Sequence, residues 1–368
     1  ASLGTHQSTY LTNGLNSHIM KFLLYGANGY TGKLILQYAA DYDLTPVLAG
    51  RTESKIRPLA VQYGHEYLIF DLEDTYATQE ALADFEMVLH VAGPFKNTAK
   101  AMIEACIHTN THYLDITGEI EVFELANTYH QQALAAGIMI LPGTGFDVVP
   151  TDSLAVYLKN QLPDATHLEL AFANVGGGIS HGTAMTMVEN LGEPGKERQN
   201  GKIVDVPMGK HCRWIEFPEK KMHVASIPWG DVSTAFYSTG IPNIITYTGM
   251  PPSQARWMRW GNWFGWVMRS KLVKNFAKKK VNQRPTGPSD KQRATAKSLV
   301  WGLVRNAKGT TKEAQLTTPE GYTLTAKSSL IIARKVLSGN ATVGFQTPAK
   351  AYGADLILEI GGVERRDK

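Results

Sequence analysis

Three glycines spaced by three, Gly26, Gly29 and Gly32, constrain this chain more than any other feature in it. They stand between a strand-like run, Lys21-Phe22-Leu23-Leu24-Tyr25, and a helical pattern over residues 31–40. That context gives a glycine fingerprint its physical meaning. Gly26 permits the tight turn out of the strand. Gly29 lets backbone approach a pyrophosphate with no Cβ in the way, and Gly32 lets the helix pack closely on the strand. The helix then offers unpaired N–H groups and the positive end of its dipole to phosphate. The loop is therefore read as a dinucleotide phosphate loop, with Gly26, Asn28, Gly29, Tyr30, Thr31 and Gly32 as its contacts. An ordinary glycine-rich turn would look similar in isolation; the strands that follow in register favour the phosphate loop.

Those strands recur at 46–49, 66–70, 87–91, 113–116 and 138–141, with helical patterns at 98–108 and 122–136. Strands alternating with helices predict an α/β fold, a doubly wound, mostly parallel sheet covered on both faces, over residues 20–150. After Pro150 the pattern changes. Segments 166–174, 223–227, 234–238 and 243–248 are β-rich and separated by Gly and Pro turns, and a hairpin at 299–306 and 313–317 precedes a helix at 323–337. These predict a second α/β domain with a mixed or antiparallel sheet over 151–340. The segment 341–368 is expected to return to the cofactor domain. Residues 1–19 are polar and precede Met20; they read as a tag or upstream extension, without the charged start and apolar stretch of a secretory signal.

The end of the second strand bears on which dinucleotide binds. An acid that holds a bare ribose is expected about 20 residues after the glycines. The sequence there is Ala49-Gly50-Arg51-Thr52-Glu53-Ser54-Lys55. Arg51, with Lys55 adding charge, suits a 2′-phosphate, so NADP is the expected cofactor. The competing reading has Arg51 solvated and Glu53 on the ribose. Asp71, ending the third strand, is a candidate acceptor for the adenine amino group or a simple turn former. Ala92, Gly93 and Pro94 end the fourth strand where ribose and nicotinamide would pass.

Composition excludes several classes. With 43% hydrophobic and 19% charged residues the chain can bury a core, and a net charge of +4 gives no argument for nucleic acid. Cys106 and Cys212 stand in no metal-binding or disulfide spacing, which fits a reduced, cytoplasmic setting without a metal site. No apolar run reaches the roughly 18 residues of a membrane-spanning helix.

The chain resembles the saccharopine dehydrogenase-like family, in its branch of trans-acting enoyl reductases. The resemblance rests on the glycine loop, Ala49-Gly50-Arg51, Val91-Ala92-Gly93-Pro94-Phe95, Tyr113-Leu114-Asp115-Ile116-Thr117-Gly118-Glu119 and Gly145-Phe146-Asp147-Val148-Val149-Pro150-Thr151-Asp152. It continues through Gly176-Gly177-Gly178-Ile179-Ser180-His181-Gly182-Thr183, Pro228-Trp229-Gly230-Asp231, Thr318-Pro319-Glu320-Gly321-Tyr322 and Gly344-Phe345-Gln346-Thr347-Pro348-Ala349. It implies a Rossmann domain, a second α/β domain with a large sheet, NADP, and reduction of a C=C bond or, in the amino-acid branch, a C=N bond. Asp147-Val148-Val149-Pro150 departs from the short Asp-Pro-Gly turn of that second branch, which argues against saccharopine as substrate.

Hydride transfer needs a group to orient the nicotinamide or to protonate the acceptor. Asp147, just past the last parallel strand, is the foremost candidate; the same residue would equally serve as cap for a helix starting near Asp152. His181, in a Gly-rich loop, is a second candidate proton donor or a loop residue. Asp115 and Glu119 read as structural, with Glu119 able to line the cleft.

Residues 256–284 hold nine Lys or Arg and no acid, which leaves the rest of the chain net acidic, and Trp257, Trp260, Trp263 and Trp266 fall in the same stretch. As one helix it would carry a stripe of Trp257, Trp260, Phe264, Val267 and Met268. Two readings stand: a core helix or homodimer contact with a basic edge, and an interfacial anchor for an anionic membrane surface or an acyl-carrier protein. The expectation is an NADP-dependent oxidoreductase of an apolar or acyl-type substrate, cytoplasmic or peripheral to the inner face of a membrane; the alternatives are a saccharopine-like amino-acid or imine reductase and a non-catalytic membrane- or partner-binding module that retains the cofactor fold.

Overall fold

The computed structural model describes residues 20–368; the segment 1–19, expected to be a tag or extension, lies outside them. Six apolar runs form parallel strands: β1 (Met20–Tyr25), β2 (Leu44–Gly50), β3 (Tyr67–Ile69), β4 (Met87–His90), β5 (His112–Asp115) and β6 (Met139–Leu141). Successive side chains on these strands enter two different cores. Phe22, Leu24, Leu48, Leu89 and Leu114 face one, and Leu23, Tyr25, Val47, Val88 and Tyr113 face the other. Both faces are dry along the central strands, so these are apolar throughout rather than alternating, while the edge strand β3 stays partly exposed. Each fully buried Leu or Phe contributes roughly 1.5–3 kcal/mol relative to exposure.

Eight more strands follow: β7 (Ala165–Val175), β8 (Gly195–Gln199), β9 (Lys202–Val206), β10 (Cys212–Glu216), β11 (Lys221–Ser226), β12 (Asn243–Gly249), β13 (Lys297–Asn306) and β14 (Thr311–Pro319). β15 (Gly344–Phe345) and β16 (Glu364–Asp367) complete the series. The first sheet has the order β15-β6-β5-β4-β1-β2-β3 and is parallel throughout. Its direction of winding reverses between β1 and β4, the crevice where open α/β sheets bind ligands. The second sheet has nine strands, along β10-β11-β12-β7-β13-β14-β16 with β8 and β9 attached through β12. It is mixed: β7 runs parallel to β12 and antiparallel to β13.

The two sheets share their helices and last strands. Helix Gly321–Leu337 packs on helix Tyr30–Tyr38 and on β4, while helix Val149–Gln161 packs on β13, β14 and β7. Within residues 341–368, β15 pairs with β6 of the first sheet and β16 with β14 of the second.

Three expectations need correction. Segment 234–238 is helix, within Asp231–Thr239, and not strand. That helix is wedged between helices Val149–Gln161 and Ile120–Thr128, with Val232, Ser233, Thr234 and Ala235 all buried. Burial over adjacent positions removes the polar face that would have marked it as helical. The pattern at 122–136 breaks at Tyr129 into helices Ile120–Thr128 and His130–Ala136. The aromatic and basic stretch is likewise not one helix: Pro252–Gly261, the 3₁₀ turn Asn262–Phe264, Gly265–Met268 and Lys271–Val281 follow one another.

Candidate functional site

The glycine loop leaves β1 and turns over the end of β4. Gly26 has φ +94°, and a Cβ there would lie 2.8 Å from both Cβ and N of Ala92. A Cβ on Gly32 would lie 2.7 Å from the Gly26 carbonyl oxygen and 2.8 Å from Ala27 Cα, so only glycine lets this helix start against its own loop. The Gly26 N–H donates to Ala49 O at 2.8 Å and the Gly29 N–H to Gly26 O at 2.9 Å, which fixes the loop to β2. Gly29 caps helix Tyr30–Tyr38 with extended backbone, and no side chain covers the helix end. Its first N–H groups are available to phosphate.

The neighbouring helix start is occupied by protein. Glu119 accepts from the N–H groups of Phe95 and Lys96, each at 2.9 Å, at the head of helix Phe95–Thr109. Burial raises its carboxyl pKa, and those two bonds work against the rise. Between the β1 and β4 loops, therefore, the glycine loop alone is left open to an anion. Sequence reading allowed Glu119 a place in the cleft; its carboxylate is spent on this cap. Asp115 is also structural. It accepts from Thr117 N at 2.9 Å, Gly143 N at 2.8 Å and the Tyr113 hydroxyl at 2.5 Å, tying the ends of β5 and β6 together. Burial pushes its pKa up to about 7.

At the end of β2, Arg51 is exposed and, among the described residues, has no carboxylate within ion-pair distance. Glu53, the competing ribose acid, accepts from the Tyr67 hydroxyl at 3.3 Å and lies 3.8 Å from Arg57. Lys55 is exposed on helix Glu53–Tyr63, and the Asn28 amide oxygen reaches the Gly50 turn, 3.6 Å from where a Cβ of Gly50 would stand. Asp71 Oδ1 accepts from Glu73 N at 3.2 Å, so one of its oxygens forms a turn and the other remains. Ala92, Gly93 and Pro94 follow β4, with Ala92 O accepting from the Thr98 hydroxyl at 2.9 Å. The Thr31 side chain makes no hydrogen bond among the described residues.

Tyr30 links the loop to the second domain. Its hydroxyl donates to Pro288 O at 2.6 Å and accepts from Arg293 Nη1 at 3.0 Å. Its ring meets Tyr322 edge-on at 5.1 Å. A Cβ on Gly287 would stand 2.5 Å from the Tyr30 ring.

Asp147 stands where the strand ends face the second sheet. Its carboxyl lies against Gly118; a Cβ there would come within 2.5 Å of Oδ2. Helix Val149–Gln161 begins two residues later, with Val148 at its cap position and no side-chain capping bond. The capping role allowed from sequence is therefore not the one taken. The carboxyl has no hydrogen-bond partner among the described residues. It is densely surrounded yet still touches solvent, and burial, with Glu119's charge adding, pushes its pKa up to about 7. Without donors to favour the anion, the neutral acid persists near neutral pH.

Residues that sequence reasoning did not assign gather around it. Tyr322 Oη accepts from the Ser180 N–H at 2.6 Å and bonds to Thr183 Oγ1 at 2.8 Å. Burial raises its pKa, and Asp147's charge acts in the same direction. Phe146 meets Phe172 of β7 at 5.8 Å, and Phe172 meets Trp229 at 4.4 Å, which makes an aromatic wall along the seam. Asp231, two residues beyond Trp229, is wholly buried with its carboxyl pKa raised well above the ordinary range by burial. Tyr322 and Trp229 each follow a Pro/Gly turn, but no local pattern marks them as site residues. His181 is placed differently: its Nε2 meets Asn282 Oδ1 at 2.9 Å, and no hydrogen bond joins it to Asp147 or Tyr322. A cavity of about 700 Å³ lies elsewhere, lined by Gln37, Tyr38, Glu219, Lys297 and Arg366 among others. None of the strand-end residues lines it, so it is not where a bound dinucleotide would present its reactive end.

Residues 22–141 match the family model for the saccharopine dehydrogenase NADP binding domain. The saccharopine dehydrogenase-like oxidoreductase of Rattus norvegicus is 25% identical over 204 residues, 49% of this chain and 48% of that protein. The trans-acting enoyl reductase of Mycobacterium leprae is 35% identical over 143 residues, 37% of this chain and 34% of that protein. The chain thus spans half or less of the length of these relatives. The apo saccharopine dehydrogenase (L-Glu forming) of Saccharomyces cerevisiae has a similar fold. Its TM-score is 0.65 at 13% identity, over 95% of this chain and 100% of that one.

Proposed function

Because residues 22–141 match the family model for the saccharopine dehydrogenase NADP binding domain, we propose that this chain is an NADPH-dependent reductase of an apolar, acyl-type C=C bond, with Asp147 as proton donor. The observation that carries the reading is the pairing of two features at the strand ends. One is an uncapped helix start on a glycine turn packed so tightly on itself and on Ala92 that neither Gly26 nor Gly32 has room for a Cβ. The other is a carboxyl with no hydrogen-bond partner and a pKa near 7.

NADPH, when bound, supplies the hydride. The chain supplies everything else. The Gly26–Gly32 turn and the first N–H groups of helix Tyr30–Tyr38 would hold the pyrophosphate, and Arg51 with Lys55 would meet the 2′-phosphate. Ala92, Gly93 and Pro94 give the nicotinamide end a small surface to pass over. The aromatic wall of Phe146, Phe172 and Trp229 excludes water and suits an apolar chain. Asp147 then gives its proton to the carbon that does not receive hydride, and takes one back from solvent at its open edge. General acids of this kind contribute on the order of 10²–10⁴ in rate.

The test is single-turnover oxidation of NADPH by the parent protein and Asp147→Asn with a medium-chain trans-2-enoyl thioester. The expected result is a loss of about 10²-fold or more in rate with unchanged NADPH affinity. An unchanged rate would remove Asp147 from the chemistry. Absence of turnover with enoyl thioesters, alongside tight NADPH binding, would overturn the substrate class.

A further inference from the structure

Residues 252–281 break into short helices, and their burial is inverted relative to a packed element. The positions turned inward are small: Ala255, Gly265 and Val281 are buried. Gly265 lies against Gly192, where a Cβ would stand 3.2 Å from the Gly192 carbonyl oxygen. Asn262 anchors the middle of the segment by exchanging two bonds of 3.0 Å with the backbone of Met208. Val281 joins Ala184 and Val188 in a small core of its own.

Most of the large apolar side chains point the other way, Met258 against Gly209 being an exception. Trp257 is 73% exposed, Trp260 63%, Trp263 84%, Trp266 75%, Leu272 83% and Phe276 63%. Isolated exposed apolar side chains are ordinary, but these six within twenty residues on one tethered segment mark an interaction surface. The accompanying charge is of a single sign, with Arg256, Lys271 and Lys279 free of any ion pair among the described residues.

We infer that this segment is a membrane-surface anchor, which seats its indole rings at the headgroup level of an anionic phospholipid surface while its Lys and Arg side chains meet the phosphates. Two observations select lipid over an acidic protein. Indole and long basic side chains together fit an interface that is apolar on one side and wet and charged on the other. An acidic protein would be satisfied by the cations alone and leaves the exposed aromatics unexplained. No helix among the described residues is long and apolar enough to cross a membrane, so contact is peripheral. The surface also adjoins the seam. Helix Lys271–Val281 packs on helix His181–Glu189, whose cap Ser180 donates to Tyr322 beside Asp147, and Asn282 holds the His181 ring. A lipid-resident substrate would thus reach the seam without crossing bulk water. The anchor itself stands independently of the chemistry proposed above.

The experiment is flotation of the full chain with vesicles of phosphatidylcholine alone and of phosphatidylcholine with phosphatidylserine, at low and high salt. NADPH titration of each protein confirms the fold and keeps the two proposals separable. Expected results are binding to the anionic vesicles and at least about tenfold weaker binding to the neutral ones or at high salt. Binding should be lost in Trp257→Ala/Trp260→Ala/Trp263→Ala/Trp266→Ala, and in the charge reversal Arg256→Glu/Lys271→Glu/Lys279→Glu, with NADPH affinity retained in both. The inference is overturned if the parent ignores anionic vesicles at low salt, whether it is then a monomer, a dimer dissociated by the Trp variant, or captured by an acidic carrier protein. It is also overturned if neutral and anionic vesicles bind equally.

Discussion

Replacing Asp147 by Asn removes an ionisable group from a crowded seam without changing its size, so its effect on stability isolates the electrostatic cost of that position. Burial carries the carboxyl from its ordinary value of 3.8 to about 7. A full shift of that size corresponds to roughly 4 kcal/mol between the two protonation states. The side chain still touches solvent, so about 2 kcal/mol is the realistic figure. The sign follows from linkage. Below pH 4 the group is protonated in folded and unfolded chains alike, and it costs nothing. As pH rises from 4 to 7 the unfolded chain releases the proton and the folded chain keeps it, so the parent loses stability across that window. Above pH 7 the loss is complete and constant. Asn has no such dependence. Thermal melts of both proteins from pH 4.5 to 8.5, in matched buffers, should therefore show similar midpoints at the acid end. The variant should melt a few degrees higher at the alkaline end, since about 2 kcal/mol is worth roughly 2–4 °C in a chain of this size. A pH-independent difference, or a variant that is less stable at pH 8, would refute an unpartnered, buried carboxyl at this position.

Two further substitutions probe the frame around it. Gly26→Ala places a Cβ at φ +94° and 2.8 Å from Ala92, so it should lower stability by about 1–3 kcal/mol and abolish NADPH binding; a normal melt with normal binding would contradict the tight turn. Glu119→Ala uncovers two N–H groups at the head of helix Phe95–Thr109 and should cost about 1–2 kcal/mol in chemical denaturation, with an unchanged midpoint refuting the cap.

The parallel sheet was legible because both its faces are buried. Its strands are then unbroken apolar runs such as Phe22-Leu23-Leu24-Tyr25, and the glycine turn after β1 is dictated by local sterics. Helices such as Glu53–Tyr63 and Thr75–Leu82 carry no readable signal because each buries only two residues, too few to raise a periodic pattern. The opposite failure struck Asp231–Thr239, where burial at successive positions and a Val, Thr, Phe and Tyr content imitate a strand. At the candidate site, the glycine loop draws notice because it follows directly on β1, and Asp147 because it lies in the loop after β6. Tyr322, Phe172 and Trp229 do not, since helix Gly321–Leu337, β7 and the turn before Asp231 meet only when the two sheets close on one another. Tyr30 was read as a cofactor contact; its ring is turned to Pro288 and Arg293, a contact some 260 residues away in sequence that no local pattern announces.

The most direct test is a competition between NADPH and NADH for the purified chain, followed by quenching of tryptophan fluorescence and repeated with Arg51→Asp. A guanidinium on the 2′-phosphate contributes about 1.5–3 kcal/mol, so NADPH should bind at least tenfold tighter than NADH. The variant should lose that preference while keeping its affinity for NADH. Equal binding of the two dinucleotides by the parent, or a preference that survives Arg51→Asp, would contradict the account.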